Sequence, residues 1–190
     1  ADISVVMDMM IHDIDIVLHL VRARPARVDA VGVRVLSEHE DIANARVIFE
    51  GGCVANMTAS RLALKTERKI RVFADEAYLS LDYQKKTGIA IKKDANLDLL
   101  KMAREHGAEE LSQLVGRDFG SMIKVEPLEI DDLEPLRVEL QSFLSSVRSG
   151  EPPAVSAEDG VAAVELAEQI VAAARSHQWE GVDAAFAARA

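Results

Sequence analysis

The chain has little of what would tie it to a membrane, an oxidising compartment or a polyanion. Its 190 residues include a single cysteine, Cys53, so no internal disulfide and no thiolate zinc site can form, which suits a reducing compartment. The longest apolar runs, such as "ISVVM" and "AFAA", fall far short of a bilayer span. No basic, apolar, small-residue succession resembles a secretory signal. Lys and Arg number 22 against 32 Asp and Glu, and the net charge of −10 sets any nucleic-acid contact against the overall field. These absences lead to the expectation of a cytoplasmic protein with neither membrane nor nucleic-acid partners. An initiator methionine is missing as well. The chain opens straight into "ADISVVMDMM", with no strand or turn before its first helix, and reads as a fragment of something longer.

What is present is an ordinary globular composition, 49% apolar, with length enough for one domain over 1–190. The 3.6-residue period predicts a helix over 3–23, with Asp2 as N-cap, Arg22 and Arg24 favourable at its negative end, and Pro25 as its stop. The period then becomes two. "ARVDAVGVRVL" (26–36) puts Val31, Val33 and Val35 on one face, and "NARVIFE" (44–50) alternates likewise. Gly51-Gly52 predicts a tight hairpin turn into "CVANMTASR" (53–61), with Cys53 taken up in strand packing. Strands are expected at 68–75, 78–83, "GIAIKK" and 122–130, and the charged stretch 94–121, broken at Gly107, is read loosely as an excursion. Two helices close the chain. In "EPLRVELQSFLSSVRSG" (134–150) Leu136, Leu140, Phe143 and Val147 share a face; ahead of "VAAVELAEQIVAAA", Ser156 and Asp159 have near-capping-box spacing. Helix, run of strands, then helices is the order of an α+β fold with a mainly antiparallel open sheet and helices packed on one face.

One stretch departs from simple amphipathicity. In "DMMIHDID" and its continuation, positions 8, 12, 15 and 19 lie within roughly 60° around a helix axis, so Asp8, His12, Asp15 and His19 form one polar line on an otherwise apolar helix. A helix apolar on most of its surface is expected to be buried there, with the line facing water, a cavity or a ligand. A solvated edge is the plainest reading, although such edges favour Lys, Glu and Arg over short Asp and His. A metal site ranks lowest, because a catalytic zinc needs about three protein ligands and no third announces itself. Acid/base chemistry is the remaining reading: a histidine moves a proton near neutral pH, and an aspartate one turn away raises its basicity and fixes its orientation.

The pattern D-x-x-x-H-x-x-D on an early helix resembles the active-site helix of the Gfo/Idh/MocA oxidoreductases, the family of glucose-fructose oxidoreductase, inositol dehydrogenase and rhizopine catabolism proteins. "ANARVIFEGGCVANMTASR" is similar to the family's hairpin across the sheet. "EPLRVELQSFLSSVRSGEPPAVSAEDGVAAVELAEQI" resembles its closing segment of a helix, a Gly-x-Pro turn and a Ser-initiated helix. Three such segments occur in order over nearly the whole chain.

The resemblance implies the C-terminal, dihydrodipicolinate-reductase-like domain of a two-domain enzyme, serving for substrate binding, catalysis and oligomerisation. An N-terminal Rossmann domain would bind NAD or NADP. No G-x-G-x-x-G follows a strand in this chain and no Glu-Lys-Pro is present, so both are expected upstream of Ala1, and the chain alone is expected to be inactive. By the same resemblance His12 is the acid/base for a substrate hydroxyl, Asp8 orients or polarises it, and Asp15 binds a hydroxyl or holds the pocket. Arg61, at a strand end before a loop, is a candidate for an anionic substrate group, with a solvated strand-end charge the plainer reading. His19 is expected to be structural or at the pocket rim. The implied substrate is a sugar, cyclitol or nucleotide sugar. Where many members carry glycines around the aspartate, this chain has "SVVM" and Met10, which alters the space around the helix. A non-enzymatic ligand-binding or self-assembly domain is the alternative, and apolar residues on both faces of "CVANMTA" point to a homo-oligomer through the sheet face under either reading.

Overall fold

The structure, a computed structural model, describes residues 2–75, 77–93, 123–128 and 133–177. Among them the order is a π-helical turn at Val6–Met10 running into α1 (Ile11–Val21), then β1 (Pro25–Val33), β2 (Ile42–Phe49), β3 (Val54–Ser60), β4 (Lys69–Phe73), β5 (Ala77–Asp82), β6 (Thr87–Lys93), β7 (Ile123–Leu128), α2 (Pro135–Ser149) and α3 (Ala157–Ser176). The α+β class and the antiparallel pairing hold throughout. The antiparallel strands lie in two sheets, β1-β2-β3 and β4-β5-β6-β7. The first ladder ends at Ser60, and "RLALKTER" leads from it to β4. Correspondingly the chain falls into two compact units, Ala1–Leu64 with Glu139–Ala190, and Lys65–Val138. The predicted excursion at 94–121 lies outside the described residues.

In the first unit, strict alternation in β2 turns Ala43, Ala45, Val47 and Phe49 inward, and Met57 and Ala59 of β3 join them. Val5, Val6, Met10 and Ile14 of the first helical run, and Ala163, Leu166, Ala167 and Ile170 of α3, cover that face. The alanines let α3 approach closely, and its buried positions follow the i, i+3, i+4, i+7 stripe of an amphipathic helix. Full burial of a side chain such as Leu166 or Ile170 is worth roughly 1.5–3 kcal/mol.

Local chemistry accounts for most boundaries. Gly51 and Gly52 adopt φ of 86° and 90°, which a side chain would resist, and the hairpin closes through Phe49 N–H to the Cys53 carbonyl at 2.8 Å. The Ser156 hydroxyl and the Asp159 carboxylate make a complete capping box at the start of α3. Arg22 ends α1 in a left-handed conformation and its side chain donates to the His19 carbonyl at 3.3 Å.

Three expectations need correction, on Asp2, on the burial of the first helix and on Cys53. Asp2 does not cap the first helix: Ser4 Oγ accepts from Val6 N–H at 3.2 Å, and Val5 N–H donates to the Glu40 carbonyl at 2.8 Å. That helix is not buried over most of its surface either, since a sheet and one neighbouring helix cover only one side and Met9 and Leu20 stay exposed. In β1 the inward residues are Val28 and Ala30, so the valine face of Val31 and Val33 lies outward. Cys53 is exposed in the hairpin instead of packed in a strand. Leu136, Leu140, Phe143 and Val147 do share a face of α2, but all are exposed.

Candidate active site

Asp8 sits at the middle of the π-helical turn, where Ile11 N–H reaches back to the Val6 carbonyl. Such widened turns recur at functional sites because they redirect one side chain without ending the helix. From Ile11 onward the helix is α, so His12, Asp15 and His19 occupy successive turns. Asp8, His12 and His19 are exposed and Asp15 is half-buried. His12 has no hydrogen bond or ion pair to any described residue.

Arg61 is where the structure departs most from the solvated strand-end reading. Its side chain is only 16% exposed and folds back onto the helix start. Nε and Nη2 both donate to Asp8 Oδ2, at 3.2 and 2.9 Å, and Nη2 also donates to the Ile3 carbonyl at 2.8 Å. The fork geometry of a guanidinium permits this simultaneous engagement. The two residues are 53 apart in sequence, and only closure of β3 beneath the helix brings them together.

Two further acids at this end of the unit were not singled out in the sequence. Asp41 accepts backbone N–H bonds on Oδ2 from Val35, Leu36 and Ser37 at 2.8, 2.7 and 3.1 Å, and the Ser37 hydroxyl on Oδ1 at 2.9 Å. The Leu36 N–H foremost, then that of Val35, holds its carboxyl far below the usual carboxylate range. Glu40 is buried beside Ser4, with Arg175 at 3.5 Å and Arg34 at 3.8 Å. Burial pushes its carboxyl up, but its own N–H, the Ser4 hydroxyl and Arg175 outweigh that and leave it lowered. The one available signal was "SEHED", an acidic pair breaking the alternation just before β2. On α3, Ser156 N–H and then its hydroxyl lower the Asp159 carboxyl, with a favourable contribution from the charge of His19.

A depression of about 660 Å³ lies elsewhere in this unit, lined by residues of β1–β3 such as Asp29, Asn44, Arg46 and Asn56 and by Ser176 and His177 at the end of α3. It does not include Asp8, His12 or Asp15. The outward face of β3 is mostly polar, with Thr58 donating to Asn44 at 2.8 Å and Asn56 accepting from Arg46 at 3.0 Å. The apolar residues of β3 other than Val54 therefore belong to the core side. Among the described residues no group of three His, Cys, Asp or Glu side chains is gathered as a metal site, and no helix is long and apolar enough to cross a membrane.

Residues 3–80 match the family model of the GFO/IDH/MocA C-terminal domain. The chain is 42% identical over 86 residues, 45% of its length, to UDP-N-acetylglucosamine 3-dehydrogenase of Acidithiobacillus ferrooxidans, and that match covers 28% of the relative. It is 26% identical over 170 residues to myo-inositol 2-dehydrogenase of Thermotoga maritima, covering 86% of this chain and 44% of the relative. A solved structure of the Acidithiobacillus ferrooxidans enzyme superposes with a TM-score of 0.73 at 28% identity, covering 90% of this chain and 49% of that one. The chain spans less than half the length of these relatives.

Proposed function

We propose, for a chain whose residues 3–80 match the model of the GFO/IDH/MocA C-terminal domain, that it forms the substrate side of a NAD- or NADP-dependent oxidoreductase acting on a sugar, cyclitol or nucleotide sugar. His12 is the acid/base that takes the proton of a substrate hydroxyl, Asp8 one turn earlier orients and polarises it, and Asp15 binds a neighbouring hydroxyl. The chemistry suits the residue types: oxidising a secondary alcohol requires one positioned proton acceptor at the carbon being oxidised. The observation that carries the reading is the exposed Asp8 and His12 pair, one helical turn apart, within a segment similar to two dehydrogenases of hydroxyl-rich substrates.

The described residues do not fit a dinucleotide. Gly51 and Gly52 open a strand-to-strand hairpin instead of a strand-to-helix turn, Gly150 ends α2 and Gly160 lies within α3. The cofactor, the hydride acceptor of the reaction, is therefore assigned to other residues of the full-length protein.

The test is turnover of the full-length protein with UDP-N-acetylglucosamine or myo-inositol and NAD⁺ or NADP⁺, followed by nicotinamide absorbance. His12→Ala is expected to lower kcat by at least about 100-fold while cofactor affinity stays near wild type; retained turnover would sink the assignment. The second reading, a binding or assembly domain, is favoured by the depression on β1–β3, which stands apart from the His12 edge. Saturable sugar binding without any nicotinamide-linked turnover, or dimers broken by changes at Arg46 and Asn56, would support it.

A further inference from the structure

Asp8 is held from outside its own helix. Arg61 occupies Asp8 Oδ2 with two donors and the Ile3 carbonyl with one of them, while its own backbone N–H donates to the Asp41 carbonyl at 2.9 Å. Nη1 lies 3.8 Å from Asp41 Oδ1, buried and without a hydrogen bond among the described residues. Asp41 is in turn fastened by the loop 35–37. A continuous set of contacts thus leads from that loop, through one guanidinium, to one oxygen of the half-exposed Asp8 carboxylate.

We propose that Arg61 is a positioning residue for the reaction, anchored by Asp41, whose hold on Asp8 Oδ2 fixes the carboxylate so that Oδ1 serves the substrate hydroxyl or the His12 ring. The inference rests on the assignment of His12 and Asp8 made above. It replaces Arg61 as a receptor for an anionic substrate group, for two physical reasons. A receptor presents its donors to solvent, whereas Nε and Nη2 are taken and Nη1 is buried. The cluster of Asp8, Asp41 and Arg61 also sums to one negative charge, which repels a phosphate or carboxylate instead of attracting it. Lysine substitutes only in part, since its single nitrogen supplies neither the second donor to Asp8 Oδ2 nor the group beside Asp41.

Steady-state kinetics of the full-length protein with UDP-N-acetylglucosamine and NAD⁺ or NADP⁺ separate the roles. Arg61→Ala is expected to lower kcat by about 30- to 100-fold, the loss typical of a misplaced catalytic group, with KM for the sugar nucleotide within about 3-fold of wild type. Millimolar guanidinium chloride is expected to restore part of that kcat, and none of the kcat lost in His12→Ala. A KM raised by about 10-fold or more with kcat unchanged would assign Arg61 to the substrate and overturn the proposal. So would a folded Arg61→Ala protein with wild-type kcat, or one whose lost kcat guanidinium does not rescue. Should Arg61→Ala fail to fold, Arg61→Lys carries the test: kcat reduced about 10-fold at unchanged KM supports the proposal, and wild-type kcat overturns it. Retained turnover in His12→Ala instead defeats the reading on which the proposal stands, whatever Arg61 does.

Discussion

Replacing Gly32 by alanine probes the packing beneath the loop that anchors Arg61. A Cβ at that position would lie 2.6 Å from Glu40 Cγ, 3.3 Å from Glu40 Cβ and 3.4 Å from Ala174 Cβ. The first distance is closer than carbon atoms approach, so Glu40 has to move. Its side chain is only 4% exposed, and moving it gives up Arg34 and Arg175 at 3.8 and 3.5 Å. Forcing one methyl into so filled a space costs about 1–3 kcal/mol, and the reduced freedom of the unfolded chain offsets about 0.4–1 kcal/mol. A net loss of about 1–2 kcal/mol follows, which lowers Tm by about 2–8 °C for a chain of this length. Urea and thermal denaturation followed by circular dichroism measure it. Hydrogen exchange at Val5, whose N–H is bonded to the Glu40 carbonyl, locates it. Glu40→Ala removes the offending Cγ, so the double variant should cost about 1 kcal/mol less than the two singles together. Wild-type stability in Gly32→Ala, or strict additivity in the double variant, would refute the packing argument.

Leu166→Ala, at 1% exposure in the core, is expected to cost about 2–5 kcal/mol. Leu140→Ala on the open face of α2, at 53% exposure, should stay within about 0.5 kcal/mol of wild type; equal effects in urea titrations would contradict the burial pattern. Folding lowers the carboxyls of both Glu40 and Asp41, so at acid pH the unfolded chain binds more protons than the native one. Their contribution is complete above their ordinary values of 4.5 and 3.8 and is lost as pH falls below them. The urea midpoint should hold steady from neutral pH to about pH 5 and then fall; a rise on acidification would show the carboxyls to be lowered in neither.

Much of the first unit is legible in the order of residues because its determinants are near neighbours. The alternation of Ala43, Ala45, Val47 and Phe49 marks a strand with one buried face, the glycine pair supplies the positive φ angles of the hairpin turn, and Ser156 with Asp159 begins α3 from three residues apart. The stripe of Asp8, His12 and Asp15 is likewise a matter of helical period. What spacing could not reveal is which surface meets which. Period two divides β1 into two faces but does not say that Val28 and Ala30, instead of Val31 and Val33, meet α3. The same limit hid the exposure of α2 and the division of seven strands into two sheets, since both depend on where other segments stop covering them. The π-helical turn and the capture of Asp8 by Arg61 are tertiary in the strict sense. A guanidinium 53 residues away meets its carboxylate because β3 pairs with β2 and Asp41 holds the loop 35–37 beside it. Local sequence determined the elements and the residues able to do chemistry; the burial that excludes water from Arg61, Glu40 and Asp41 determined which of them act together.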